Sequence, residues 1–129
     1  NIGNCLSAGA DVETWLSQDG YVDYVCPQIY WTNEYANPAY RFDNCLRDWL
    51  AMKQNPNVKL YVGLALYRAG TEIARDPGWL NRSDNLMRQV QSIRSTGQCG
   101  GFILFDISYL LAPEAQEEVA NLKTALRPE

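Results

Sequence analysis

Three short stretches of the chain are apolar at nearly every position. They are residues 23–31, 59–67 and 101–106. Strands buried on both faces give continuous apolar runs of this kind, whereas half-exposed strands alternate apolar and polar residues. Each stretch also ends in a polar or aromatic residue, as expected where a strand leaves the core. The pattern therefore predicts three buried strands.

Four segments with apolar residues at helical spacing surround the predicted strands. Asp11 can cap the first helix, Asn37 followed by Pro38 can begin the second, Ser83 can cap the third, and Pro113 can open the last. The predicted order is therefore α-β-α-β-α-β-α. Strands that alternate with helices form a parallel sheet with right-handed crossovers.

The chain is accordingly predicted to be a single α/β domain over residues 1–129, with three parallel strands. Residues 1–10 are expected to be an irregular lead-in and residues 68–82 a long loop. Ligands of open α/β sheets bind outside the carboxyl ends of the parallel strands. A ligand site is therefore expected at that edge of the sheet.

Pro27 lies inside the first predicted strand. Proline cannot donate a backbone hydrogen bond to a neighbouring strand, so it normally indicates an edge strand or a bulge. Near the end of the strand, Pro27 can instead set a bend that aims Gln28 and Tyr30 toward a site.

The composition is that of a soluble globular domain, with 11 basic and 15 acidic residues among 129 and a net charge of −4. Because no basic cluster is present, no nucleic-acid partner is expected. No apolar run approaches the roughly 20 residues of a membrane span, so no membrane partner is expected either. The chain has neither an initiator methionine nor a signal-peptide pattern, which indicates an excised or processed piece.

The chain contains four cysteines, at positions 5, 26, 45 and 99, and no histidine. A Cys/His zinc site and a Ser-His or Cys-His catalytic pair are therefore excluded, and no metal or cofactor is predicted. The cysteines are expected to be buried free thiols. Their spacing leaves a disulfide that involves Cys5 open.

Four residues near strand ends are candidate ligands for a sugar. The Gln28 amide can donate to and accept from hydroxyl groups, or it can simply tie a loop. Tyr30, Trp31 and Tyr67 offer flat faces suited to stacking on a sugar ring, or they can be core residues. Adjacent strand residues point to opposite faces, so Tyr30 is expected to share a face with Gln28, and Trp31 is not.

Asp106 and Glu34 are the candidate catalytic carboxylates. Asp106 ends the third predicted strand, where it can act on a substrate or cap the turn at Ser108. Glu34 lies in the loop after Trp31 and can equally be a solvated surface residue. Glycoside hydrolysis normally uses two carboxyl groups that flank the bond. Any acidic chain offers many pairs, so the pairing is a hypothesis.

Residues 23–31 read D-Y-V-C-P-Q-I-Y-W. They resemble the D-Y-I-x-P-Q-x-Y-W signature of the glycosyl hydrolase-like family 10 proteins. Residues 59–67, K-L-Y-V-G-L-A-L-Y, are similar to the family's K-L-Y-x-G-x-x-x-Y strand, and residues 42–50 and 100–102 are similar to its next helix and its last strand. The resemblance covers nearly the whole chain.

The resemblance implies a glycoside hydrolase of TIM-barrel type that acts on a poly- or oligosaccharide. A TIM barrel has eight strands in about 250 residues, so the three strands here would be its last three. The family's acidic strand would lie upstream, which implies that the main catalytic acids are outside this chain. The resemblance also implies a bacterial protein of the cell envelope or the extracellular space.

An isolated three-stranded sheet leaves two unpaired edges. A second copy of the chain, in a homodimer, or a missing N-terminal half of the barrel is therefore the expected partner. Two alternatives to a hydrolase are left open: a non-catalytic carbohydrate-binding module, and a self-associating half-barrel without a ligand.

Overall fold

The computed structural model describes residues 1–127. The helices are α1 (Ile2–Ser7), α2 (Val12–Ser17), α3 (Phe42–Met52), α4 (Gly78–Asn81), α5 (Asn85–Thr96) and α6 (Gln116–Leu126); the strands are β1 (Tyr24–Val25), β2 (Lys59–Ala65) and β3 (Gly101–Phe105). Short 3-10 turns cover Pro38–Tyr40, Leu66–Arg68, Ile107–Leu111 and Pro113–Ala115.

The three strands form one parallel sheet in the order β1-β2-β3. Tyr24 is paired with Lys59, and Ala65 is paired with Phe105 at the other end of the sheet. The predicted α/β class and the parallel arrangement are therefore confirmed. The sheet is open, as a part of a TIM-barrel-like fold would be.

Pro27 explains why β1 is much shorter than the apolar stretch that predicted it. The Pro27 carbonyl accepts a hydrogen bond from the Gly63 amide at 2.9 Å. In a parallel strand, the amide and carbonyl of one residue point to the same neighbour, so the missing N–H of Pro27 interrupts the ladder to β2. Pairing resumes at Ile29, whose amide donates to the Gly63 carbonyl at 3.1 Å. Within residues 1–127, β1 lies at the edge of the sheet, which is one of the alternatives that Pro27 left open.

Among the described residues, one face of the sheet is buried much more completely than the other. Leu60, Val62 and Leu64 alternate along β2, and all three are fully buried in the core with side chains of α3, α5 and α6. On the opposite face, Ile103 and Phe105 are about half exposed, at 52% and 50%. The expectation of burial on both faces is therefore wrong at β3: within residues 1–127, Ala65 is fully buried and the Tyr30 ring lies over Gly63 on this second face, but Ile103 and Phe105 are left half exposed.

Two segments that were predicted to be irregular contain helices. Residues 2–7 form α1 because the Asn1 side chain accepts a hydrogen bond from the Asn4 amide at 3.1 Å, which caps the helix. The long loop after β2 contains the single turn of α4.

Three predicted helix starts lie elsewhere. Pro113 opens the 3-10 turn Pro113–Ala115, and α6 begins after it at Gln116. Asn37 caps the 3-10 turn that precedes α3 rather than α3 itself. Ser83 does not cap α5; instead, the amide of Leu86 in its first turn donates to Glu118 of α6 at 2.5 Å.

Candidate functional site

Four aromatic rings meet at the carboxyl ends of the strands. Tyr30 follows β1, Phe105 ends β3, and Tyr67 and Tyr109 lie in the 3-10 turns after β2 and β3. The centroid of the Tyr67 ring lies 5.7 Å from that of Tyr30, 6.0 Å from that of Phe105 and 6.1 Å from that of Tyr109. We call these four residues the rim cluster. Tyr30 and Tyr67, two of the candidate sugar ligands, therefore lie near each other at this edge.

Gly63 allows Tyr30 to lie close to the sheet. A Cβ atom at position 63 would stand 3.5 Å from Cε1 of the Tyr30 ring and 3.3 Å from the Pro27 carbonyl oxygen. The half-buried position raises the pKa of the Tyr30 hydroxyl, mainly because burial disfavours its charged form. Tyr30 therefore presents a neutral hydroxyl and an apolar ring.

Arg68 holds two members of the rim cluster in place. Its Nε donates to the Tyr67 hydroxyl at 2.9 Å, and its Nη1 donates to the Tyr30 carbonyl at 2.6 Å. The guanidinium also lies 5.4 Å from the centroid of the Tyr67 ring. Arg68 was not among the residues predicted from the sequence, although a basic residue directly after the aromatic end of a strand was the available signal.

Asp106 stands next to the rim cluster, directly after Phe105. Its Oδ1 accepts a hydrogen bond from the Ser108 amide at 2.8 Å and another from the Ser108 hydroxyl. The carboxylate thereby caps the 3-10 turn Ile107–Leu111, which is the structural role that the sequence also suggested. Among residues 1–127, no hydrogen bond to its Oδ2 is formed.

Gln28 and Trp31 lie outside the rim cluster. The Gln28 side chain is exposed, and it lines an open groove beside β1 together with Trp15, Trp31 and Trp49. The Trp31 ring packs against Tyr40, with the two centroids 5.0 Å apart. Tyr30 thus belongs to the rim cluster and Trp31 to this groove, although neither residue lies in a strand, since β1 ends at Val25.

Glu34 is exposed and lies in a different charged group from Asp106. Its Oε1 is 3.8 Å from Nη1 of Arg82, which is held more closely by Asp84 at 2.8 Å. The hydrogen bond from Arg82 lowers the pKa of Asp84. Among residues 1–127, Glu34 and Asp106 share no hydrogen-bonding partner, so the suggested carboxylate pair is not assembled through direct contacts.

Asp76 fixes the loop after β2 to the loop after β1. The carboxylate is fully buried and accepts hydrogen bonds from the Thr32 amide at 2.9 Å and the Thr32 hydroxyl at 2.5 Å. Gly78 packs against the same threonine, because a Cβ there would lie 2.3 Å from Thr32 Oγ1. Sequence analysis missed this contact, since only the fold brings residues 44 positions apart together.

The cysteines and the acidic residues of the described chain offer no metal site. All four cysteines are free, and no group of three or more potential ligands lies together within residues 1–127. Burial raises the pKa of the Cys45 thiol, which keeps it protonated. Over the same residues, every helix is too short or too polar to cross a membrane.

Comparison with known proteins identifies relatives of this chain. The profile of the family described as Glycosyl hydrolase-like 10 matches residues 4–81. The glycosyl hydrolase DigH of Escherichia coli K12 is 31% identical over 117 residues, which are 89% of this chain and 26% of that protein. The glycosyl hydrolase YngK of Bacillus subtilis is 33% identical over 93 residues, which are 67% of this chain and 17% of that protein.

The chain thus spans about a quarter of the length of DigH and less of YngK. The family profile covers well over half of the chain, including β1, β2 and the residues Tyr30 and Tyr67. On these grounds, the chain belongs to the glycosyl hydrolase-like 10 family.

Proposed function

We propose that this chain forms the sugar-binding part of a glycoside hydrolase that acts on a poly- or oligosaccharide. The observation that supports it is the rim cluster, where aromatic rings from all three strand ends surround one edge of the sheet. Phe105 and Tyr109 remain 50% and 37% exposed, so their faces are open to a ligand. Aromatic faces with polar edges are well suited to stacking on sugar rings.

Asp106 is our candidate for direct contact with the substrate. Its Oδ2 is available to accept a hydrogen bond from a sugar hydroxyl or to assist proton transfer. Because hydrolysis uses two carboxyl groups on either side of the bond, we propose that the principal acids belong to residues outside this chain. Glu34, paired with Arg82, is the weaker of the two acidic candidates.

A non-catalytic carbohydrate-binding module is the second candidate function. It is favoured by the two hydrogen bonds from Ser108 to Asp106, which give this carboxylate a structural role. The same rim cluster would then hold a polysaccharide without cutting it. Gln28 and Trp31 would contribute to either function only if the ligand extended into the groove beside β1.

Affinity gel electrophoresis with a panel of soluble polysaccharides tests the proposed binding. We expect at least one polysaccharide to retard the chain, and Tyr67→Ala to abolish the retardation because it removes the central ring of the rim cluster. Tyr21→Ala is the matched control, since Tyr21 is 57% exposed and is not part of the rim cluster. Equal retardation of both variants, or none with any polysaccharide, would contradict the proposal.

Release of reducing ends from the same polysaccharides tests whether the principal catalytic acids lie outside this chain. Because we place the main acids elsewhere, we expect the 129-residue chain to bind without turnover. Measurable turnover that Asp106→Asn removes would show instead that the chain carries a complete catalytic apparatus.

A further inference from the structure

Among residues 1–127, Arg68 has no anionic partner at the proposed binding edge. Its two hydrogen bonds go to neutral acceptors, the Tyr67 hydroxyl and the Tyr30 carbonyl. No carboxylate lies within 4.0 Å of its guanidinium among residues 1–127, and its Nη2 forms no hydrogen bond in this part of the chain. Arg82, which is also half-buried, is by contrast paired with Asp84 and Glu34.

The position of Arg68 makes the missing anion informative. The side chain is half-buried beside the Tyr67 ring, and its two contacts hold the guanidinium in one orientation. A guanidinium presents several donors in a planar fork that matches the geometry of a carboxylate. The chain is net negative and has 15 acidic residues, but none of those within the described residues 1–127 forms an ion pair with Arg68.

We infer that Arg68 binds a carboxylate carried by the saccharide, so that the rim cluster prefers an acidic sugar over its neutral counterpart. This inference rests on the proposed function and adds the substrate class to it. The Nη2 donors would reach the carboxylate, while the rim cluster holds the sugar ring. Charge-assisted hydrogen bonds of this kind are roughly twice as strong as neutral ones.

Nuclear magnetic resonance titration of the 129-residue chain tests the inference. The probes are glucuronate with glucose and galacturonate with galactose, each pair differing in the carboxylate; acetate carries the charge without the ring. We expect at least one acidic sugar to bind about tenfold more tightly than its neutral partner and to shift the Arg68 Nε–Hε resonance. The affinity for this sugar should fall as the salt concentration rises. Acetate should bind more weakly than that sugar.

Substitutions distinguish anion binding from a purely structural role for Arg68. Arg68→Gln should abolish the acidic preference, Arg68→Lys should reduce it while keeping the charge, and the exposed control Arg47→Gln should leave it unchanged. If Arg68 only positions Tyr30 and Tyr67, its loss will weaken the binding of acidic and neutral sugars equally.

Equal binding of both members of every pair, or binding of acetate as tight as that of the acidic sugar, would overturn the inference. Either result would leave the proposed saccharide binding intact. No shift with any probe would also overturn the inference, and the polysaccharide retardation described above then decides the proposed function separately. The comparison within each pair needs no variant, so it remains decisive even if Arg68→Gln does not fold.

Discussion

Single buried polar residues connect the elements that carry the proposed site. Glu118 is 1% exposed and accepts hydrogen bonds from the Leu86 amide and from Asn85, which ties α6 to the first turn of α5. Its position in the sequence, in the early turns of a helix, is one where the helix dipole favours an acid, whether buried or exposed. A buried carboxylate cannot be distinguished from an exposed one by spacing when its partner lies 32 residues away.

The titration of Glu118 gives the protein a pH-dependent stability. Burial raises its pKa from 4.5 to about 7, although the Leu86 amide opposes the shift. Because the folded pKa is above the unfolded one, this contribution is fully present below about pH 4.5 and is lost as the pH rises through about 7.

We expect Glu118→Gln to remove this dependence, since the amide does not titrate. Relative to the variant, the parent should lose roughly 2 to 3 kcal/mol of unfolding free energy between pH 4.5 and pH 7.5, as measured by urea denaturation. Glu117→Gln, at an exposed neighbouring position, is the control. Parallel pH profiles of the parent and Glu118→Gln would contradict this interpretation.

Asp76 allows a second prediction at the scale of single residues. Asp76→Asn places an amide donor opposite the two donors of Thr32, and we expect it to lower the unfolding free energy by about 1 to 3 kcal/mol. Asp48→Asn removes only an exposed ion pair with Arg47. This control substitution should change the unfolding free energy by less than about 1 kcal/mol. Similar effects of the two substitutions in thermal unfolding would show that Asp76 does not fix the loop.

At the scale of elements, β2 carries the core because it is the central strand. Leu64 is fully buried, whereas Leu80 in α4 is 55% exposed. We expect Leu64→Ala to lower the unfolding free energy by about 2 to 5 kcal/mol and Leu80→Ala to change it by no more than about 0.5 kcal/mol. Comparable losses for the two variants would contradict the assignment of the buried face.

The main elements could be predicted from sequence because their patterns are local. The apolar runs located β2 and β3, and helical spacing located α3, α5 and α6. The length of β1 could not be predicted in this way. It depends on whether the missing N–H of Pro27 faces β2, and only the pairing of the two strands decides that. For the same reason, Tyr30 and Tyr67 were identified from their positions at strand ends, whereas Phe105, Tyr109 and Arg68 depend on how the three ends meet.

At the scale of the whole molecule, the sheet within residues 1–127 presents a partly uncovered apolar face and two edges that no further strand of this part of the chain pairs with. Tyr24 and Ile103 are 58% and 52% exposed on this face. Unpaired edges and exposed apolar patches are templates for association. We propose that further β-α units of a longer barrel, or a second copy of the chain, cover them.

We expect the isolated 129-residue chain to self-associate, with a sedimentation coefficient that rises with protein concentration. Ile103→Lys places a charge on the uncovered face and should reduce the association, while Leu80→Lys, exposed on α4, should not. A strict monomer at every concentration would argue against a second copy as the partner.

Mapping a bound polysaccharide onto the sheet tests the location of the site. Using a polysaccharide that retards the chain in affinity gels, we would follow the aromatic resonances of the protein during titration. We expect the resonances of Tyr30, Tyr67, Phe105 and Tyr109 to shift together at the carboxyl ends of the strands, while those of Tyr24 and Tyr61 at the opposite end stay unchanged. Shifts confined to Tyr24 and Tyr61, with the rim cluster unaffected, would contradict a sugar site at this edge.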